Sequence, residues 1–121
     1  MLDIDMMILY VDNPEASCAF YEGILERAPI ESSPTFAMFR FESGVLLGLW
    51  SKHTVEPKAG AITASGELAL SLASEQEVDS CYQQWKTKGI QIIQEPLQME
   101  FGYTFTACDL DGHRLRVFSA S

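Results

Sequence analysis

Residues 9–21 read LYVDNPEASCAFY, and their pattern returns at residues 70–82, which read LSLASEQEVDSCY. These stretches lie 61 residues apart, and a second pair, ESGVLLGLW at 42–50 and LDGHRLRVF at 110–118, aligns at an offset of 68. In each half an apolar run leads into a helical pattern, and three strand-like runs follow. A repeat of this length indicates two duplicated units of the order βαβββ. The predicted fold is therefore α+β, with two modules whose sheets cover each other's apolar faces.

Local signals predict the elements of the first half. Asn13 is suited to cap a helix, and Pro14 is suited to its first turn. This helix is predicted over about 14–25, with Ala16, Phe20 and Ile24 on one face. Strands are predicted at residues 4–11 and near 28–33, 36–42 and 45–51.

The second half repeats this order. Residues 74–77, SEQE, form a capping box before a second helix, which Gly89 is expected to end. Helical spacing places four residues on one face of that helix: Val78, Cys81, Tyr82 and Trp85. Strands are predicted at 67–73 and near 91–95, 102–108 and 113–119. Residues 52–66 are rich in Pro, Gly, Ala and Ser and are predicted to link module one, 1–51, to module two, 67–121, within one domain.

The composition excludes several classes of partner. Seventeen acidic against eight basic residues give a formal charge of −9, which repels nucleic acid and anionic membrane surfaces but suits neutral or cationic small ligands. No apolar run is long enough to span a membrane, and the N-terminus lacks the basic start of a signal peptide. The three cysteines have no metal-type spacing, so we expect free thiols in the cytoplasm.

Two motifs carry a family resemblance that covers nearly the whole chain. Residues 9–25, LYVDNPEASCAFYEGIL, and residues 101–119, FGYTFTACDLDGHRLRVFS, resemble the glyoxalase, bleomycin-resistance and extradiol-dioxygenase proteins, also called the vicinal oxygen chelate superfamily. The resemblance implies that the two modules curl into a cleft, and that a homodimer completes two such clefts.

Enzymes of this superfamily bind a divalent metal at four strand positions. The resemblance and the repeat offsets place these positions at Met6, Gly48, Glu67 and Arg116. A catalytic metal needs three or four converging N, O or S donors, and only Glu67 could serve as one. Arg116 would put a fixed positive charge where the cation should bind. We therefore expect no metal and no other cofactor.

The two histidines do not change this expectation. His113 lies three residues before Arg116, so strand alternation would turn it away from the cleft, and it is predicted to be a surface histidine near a turn. His53 lies in or beside the linker without a partner at metal-ligand spacing.

Catalysis without a metal is also not expected. Common nucleophile and phosphate-binding motifs are missing from the sequence. Two roles for Glu67 remain open: a lone general base, or the ion-pair partner of Arg116. We favour the ion pair. Arg116 could then offer hydrogen bonds to a ligand carboxylate or carbonyl.

Residues 39–52, FRFESGVLLGLWSK, and 95–118, EPLQMEFGYTFTACDLDGHRLRVF, resemble the antibiotic-binding branch, especially its phenazine-resistance type. The resemblance implies a protein that holds planar drugs between aromatic side chains. The predicted function is to sequester or carry a hydrophobic aromatic compound, an activity that can confer antibiotic resistance. Two alternatives stay open: a metal-dependent lyase, isomerase or thiol transferase, and a protein-interaction domain with a filled cleft. The candidate ligand contacts are Trp50, Tyr10, Arg116, Glu67, Met6, Phe101, Tyr103 and Phe105.

Overall fold

The computed structural model describes residues 2–61 and 66–121, so residues 62–65 of the predicted linker lie outside the described residues. The chain divides into two compact units, Met1–Ile62 and Thr63–Ser121. The described part of each unit contains one helix and one four-stranded mixed sheet, in the chain order βαβββ. The predicted α+β class with two such modules is confirmed.

The first unit has the strand order β1-β4-β3-β2. Strand β1, at one edge, pairs with β4 in parallel, and the remaining pairs are antiparallel. Its elements are β1 Met6–Val11, α1 Pro14–Leu25, β2 Glu31–Ser32, β3 Phe36–Arg40 and β4 Leu46–Ser51.

The second unit has the equivalent order β5-β8-β7-β6, with β5 parallel to β8. Its elements are β5 Glu67–Ser71, α2 Glu75–Thr87, β6 Ile92–Met99, β7 Gly102–Cys108 and β8 Arg114–Ala120. Strand β6 is longer than predicted and contains Pro96, which is tolerated because β6 is an edge strand with irregular register against β7.

Helix α1 begins and ends where the sequence predicts. The Asn13 side chain accepts hydrogen bonds from the backbone N–H groups of Glu15 and Ala16, at 3.1 and 3.2 Å. Pro14 occupies the first turn, where the N–H that it lacks is not needed. Glu26 ends the helix in a left-handed conformation, with φ of 54°.

The face of α1 that carries Ala16, Phe20 and Ile24 is not the one that the structure buries. Ala16 is exposed, and Phe20 and Ile24 are only half-buried. Small residues let a helix backbone approach its sheet closely, and here a small-residue stripe with one large aromatic is buried instead. The buried residues are Pro14, Ser17, Cys18 and Tyr21.

Helix α2 agrees with its predicted cap and face. Ser74 accepts a hydrogen bond from the Glu77 backbone N–H at 3.2 Å, while the Glu77 carboxylate accepts one from the Ala73 N–H at 2.9 Å. The capping box is thus reciprocal but reaches back one residue further than the standard form. Val78 and Trp85 are buried on the predicted face.

Strand alternation gives each sheet two faces with different roles. The helix face is the one that packs on α1 or α2, and the open face is its opposite. In the first sheet the helix face includes four fully buried residues of β3 and β4: Ala37, Phe39, Leu47 and Leu49. In the second sheet the equivalent residues are Phe105, Ala107, Leu115 and Val117. Neither helix within the described ranges has the length and apolar character that crossing a bilayer requires.

Candidate functional site

Arg116 is the centre of a polar network on the open face of the second sheet. It lies on β8, between Ala69 of β5 and Thr106 of β7 in the strand register. Because Ala69 is small, Glu67 can reach diagonally across two positions to the guanidinium. Glu67 Oε1 lies 2.5 Å from Arg116 Nε, and Glu67 Oε2 lies 3.3 Å from Nη2. The predicted ion pair between Glu67 and Arg116 is present and is bidentate.

The other end of the guanidinium is held by neutral side chains. Arg116 Nη1 donates to Thr104 Oγ1 at 3.2 Å and to Gln94 Oε1 at 3.3 Å. Thr106 also donates to Gln94 Oε1, at 3.0 Å, and Thr104 donates to the Val117 carbonyl at 2.8 Å. Together with the bonds to Glu67, these contacts use most of the N–H donors of Arg116.

An aromatic ring stands beside this network. The Arg116 Cζ atom lies 5.5 Å from the centroid of the Phe101 ring, and Phe101 in turn packs edge-on against Phe118 at 6.1 Å. The Arg116 side chain is 15% exposed and that of Glu67 is 32% exposed. Phe101 is 44% exposed, so a charged group and an accessible ring lie next to each other.

The equivalent position in the first unit is closed by an aromatic ring. A Cβ atom on Gly48 would lie 3.0 Å from Phe36 Cζ and 3.5 Å from Ile8 Cγ1. The Phe36 ring covers this glycine and meets Trp50 edge-to-face, with centroids 6.1 Å apart. The position that the repeat aligns with Arg116 therefore holds a packed ring and no donor side chain.

The open face of the first sheet is apolar and aromatic. Tyr10 and Trp50 are register partners on the parallel strands β1 and β4. Ile8 is 42% exposed and Tyr10 is 39% exposed, while Trp50 is half-buried. We call this surface, Ile8, Tyr10, Phe36 and Trp50, the aromatic face. Met6 lies on β1 before Ile8 and is half-buried.

Two predicted ligand contacts lie on the helix face instead. The Tyr103 hydroxyl donates to Asp79 Oδ1 on α2 at 2.7 Å, and this hydrogen bond raises the pKa of Tyr103. Phe105 is fully buried, with its ring centroid 5.4 Å from those of Tyr82 and Trp85. A ligand cannot touch Phe105 without displacing α2, so that prediction is wrong. Tyr103 lies on the same side of β7, away from Arg116.

The residues that do share a face with Arg116 on β6 and β7 were not predicted. They are the polar residues Gln94, Thr104 and Thr106. The alternation of β7 separates Thr104 and Thr106 from Tyr103 and Phe105, and the register against β8 places the two threonines on the face of Arg116.

His113 is not a surface residue, contrary to prediction. Its Nδ1 atom lies 2.8 Å from Asp109 Oδ2, and both side chains are largely buried. The other Asp109 oxygen accepts hydrogen bonds from the backbone N–H groups of Asp111 and His113, at 2.9 and 2.8 Å. The DLDGH segment is therefore a turn closed by its own side chains.

His53 has an acidic partner that the sequence did not indicate. Its Nε2 atom lies 2.8 Å from Asp12 Oδ1, and this hydrogen bond lowers the pKa of Asp12. Lys52 Nζ lies 3.9 Å from the same oxygen. Over residues 2–61 and 66–121, no three His, Cys, Asp or Glu side chains form a group that could hold a metal ion.

The His113–Asp109 contact predicts a pH dependence of stability. The hydrogen bond to Asp109 raises the pKa of His113, although burial opposes the shift. Because the pKa of His113 is higher in the folded state, its protonation stabilises the fold. This contribution is complete below the unfolded pKa of about 6.5 and is lost as the pH rises through the folded-state pKa. Relative to His113→Gln, the wild-type protein should lose about 1 kcal/mol of unfolding free energy over that rise.

Urea unfolding at a series of pH values would measure this difference. His53→Gln is the matched control, since it removes the other histidine, whose contact with Asp12 is exposed. A wild-type pH profile parallel to that of His113→Gln would contradict the prediction.

The comparison with known proteins decides the family. Residues 3–117 match the family model of the Glyoxalase/Bleomycin resistance protein/Dioxygenase superfamily. The chain belongs to this superfamily. Over 116 residues, 93% of this chain and 88% of the relative, it is 31% identical to the phenazine antibiotic resistance protein EhpR of Enterobacter agglomerans. The predicted family resemblance is confirmed.

Two solved structures share the fold. The solution structure of protein ATC0852 from Agrobacterium tumefaciens is 51% identical, with a TM-score of 0.90 over 100% of this chain and 99% of that one. A glyoxalase-related enzyme from Fulvimarina pelagi has a TM-score of 0.85 over 98% of this chain and 88% of its own, at 22% identity. At that identity the likeness concerns the fold alone.

Proposed function

We propose that this protein binds a hydrophobic, planar aromatic small molecule and sequesters or carries it unchanged. The aromatic face is the observation that carries the proposal. Tyr10 and Trp50 are neighbours there, and Ile8 and Tyr10 keep about two fifths of their surface accessible. The similarity to a phenazine antibiotic resistance protein makes phenazines the first compounds to test.

The geometry of the aromatic face suits stacking. Trp50 is held edge-on by Phe36, at an interplanar angle of 90°, so its indole is restrained. Neighbouring strands lie about 4.8 Å apart, which brings the Tyr10 and Trp50 side chains together on one surface. Binding a planar ring there would bury apolar surface, and Trp50 would lose little conformational freedom because Phe36 already restrains it.

The polar network supports a role without metal chemistry. Arg116 occupies a position that the superfamily resemblance assigns to a metal ligand, and a guanidinium neither coordinates nor tolerates a nearby cation. Both oxygens of Glu67 hydrogen bond to Arg116, which makes Glu67 a poor general base. The remaining two positions, Met6 and Gly48, offer a thioether and no side chain.

Titration with a phenazine tests the proposal directly. We expect saturable binding that quenches tryptophan fluorescence, with the phenazine recovered chemically unchanged after prolonged incubation. The same result is expected after dialysis against EDTA. Absence of saturable binding, or conversion of the compound in a metal-dependent manner, would contradict the proposal.

Trp50→Ala should weaken phenazine binding by at least about tenfold. Loss of an aromatic pair costs roughly 0.5–1.5 kcal/mol, the lost buried surface adds to it, and about 1.4 kcal/mol corresponds to one decade in Kd. Trp50→Phe should retain most of the affinity because it keeps a stacking ring. Isothermal titration calorimetry would measure the affinity of all three proteins for the phenazine.

Trp85→Phe is the matched control for Trp50. Trp85 is buried on α2 against Phe105, on the helix face of the second sheet. Its replacement should lower the stability and leave the affinity close to that of the wild type. If a folded Trp50→Ala protein bound phenazine with unchanged affinity, the aromatic face would not be the binding site.

A further inference from the structure

Arg116 is held from two sides that differ in exposure. On one side, Thr104 is fully buried, and Gln94 is tied to Thr106 within the sheet. On the other side is Glu67, the first residue of β5, which is 32% exposed at its side chain. The guanidinium can therefore keep its position through Nη1 when Glu67 leaves.

Glu67 also has a place to move. A shallow pocket of about 300 Å³ beside it is lined by Gly66, Glu67, Gly112 and Arg114. Arg114 is the direct cross-strand partner of Glu67. A displaced Glu67 carboxylate would thus enter solvent-accessible space beside another cation, so its displacement requires little desolvation.

The departure of Glu67 would leave a specific recognition surface. The Nε and Nη2 atoms of Arg116, which now face the two Glu67 oxygens, are parallel donors suited to one carboxylate. The ring of Phe101 is 5.5 Å from Arg116 Cζ and 44% exposed, which offers stacking to a ring attached to that carboxylate.

We propose that the Nε–Nη2 edge of Arg116 recognises the carboxylate of an aromatic acid, which replaces Glu67 while its ring contacts Phe101. This inference rests on the proposed function for the kind of ligand, and it assigns a carboxylate-binding site within the second unit, whereas the aromatic face belongs to the first. One carboxylate replaces another, so the charge on Arg116 stays balanced. A neutral analogue offers no such balance and cannot displace Glu67 from this edge.

Glu67 is, in this scheme, a built-in competitor of the ligand. A group tethered to the same chain competes at an effective concentration in the millimolar range. The chain also carries a formal charge of −9, which repels anionic ligands in general. Only acids that gain additional stacking energy would bind well, and this makes the site selective for aromatic acids over simple carboxylates.

Phenazine-1-carboxylate and phenazine-1-carboxamide form a matched pair of probes, since they share a ring system and differ in charge. In Glu67→Gln, which removes the competing charge, the acid should bind about threefold or more tightly than to the wild type, and the amide should change by less than about twofold. Arg116→Gln should abolish any preference for the acid. Calorimetry would measure each affinity.

Glu95→Gln on β6 is the matched control, because it removes the same charge at an exposed position in the same unit. It should raise the affinity for the acid less than Glu67→Gln does. If Glu67→Gln fails to fold, Glu67→Asp, which shortens the competitor, must change the acid affinity in the same direction. Equal affinities of both probes in wild type and Glu67→Gln would overturn this inference and leave the proposed function intact. Binding of neither probe would overturn both.

Discussion

Gly102→Ala is expected to prevent stable folding of the second unit. Gly102 begins β7 with φ of +147°, and an added Cβ would lie 2.1 Å from the Ser119 carbonyl oxygen and 3.0 Å from Ala120 Cα. These are backbone atoms of the paired strand β8, where Gly102 is the register partner of Ala120. Relief of the clash must break strand pairing, and we expect a loss above about 4 kcal/mol, a large part of the stability of a small domain.

Gly44→Ala provides the matched control. Gly44 also has a positive φ, +94°, but an added Cβ would meet nothing within 4 Å. Only the conformational penalty remains, about 1–2 kcal/mol. Circular dichroism with thermal and urea unfolding would compare the two variants. Equal losses would show that the close approach of Gly102 to β8 does not matter.

Arg116→Met should cost about 2–3 kcal/mol of unfolding free energy. The substitution removes the donor to the buried Thr104 Oγ1. Gln94 Oε1 keeps its bond from Thr106, and the freed Glu67 is exposed enough to regain water. Glu67→Gln should cost less, because Arg116 keeps its bonds to Thr104 and Gln94. The double variant should lose less than the two single losses together.

Urea unfolding of the wild type, both single variants and the double variant would give the coupling energy. Arg114→Met is the control for the loss of one positive charge, as Arg114 is exposed on the same strand. If Arg116→Met costs no more than Arg114→Met, the polar network contributes nothing to stability.

The sequence by itself determined the architecture, because its signals act over short distances. Asn13 with Pro14, and Ser74 with Glu77, satisfy helix N–H groups within three residues, so the starts of α1 and α2 are predictable from local chemistry. The internal repeat then predicted two βαβββ units. Its offsets, combined with the family resemblance, also predicted that Glu67 and Arg116 would pair.

Only the tertiary structure decided which face each side chain uses. Shifting a strand by one residue exchanges its two faces, and the register of β7 against β8 turns Phe105 towards α2 and Thr104 towards Arg116. A hydrophobic pattern cannot distinguish these faces when both carry apolar and polar residues. The burial of Ser17, and of His113 against Asp109, likewise depends on what lies opposite in space. Phe36 covers Gly48 for the same reason. The two residues lie on neighbouring strands, and the sequence alone does not show that they are close in space.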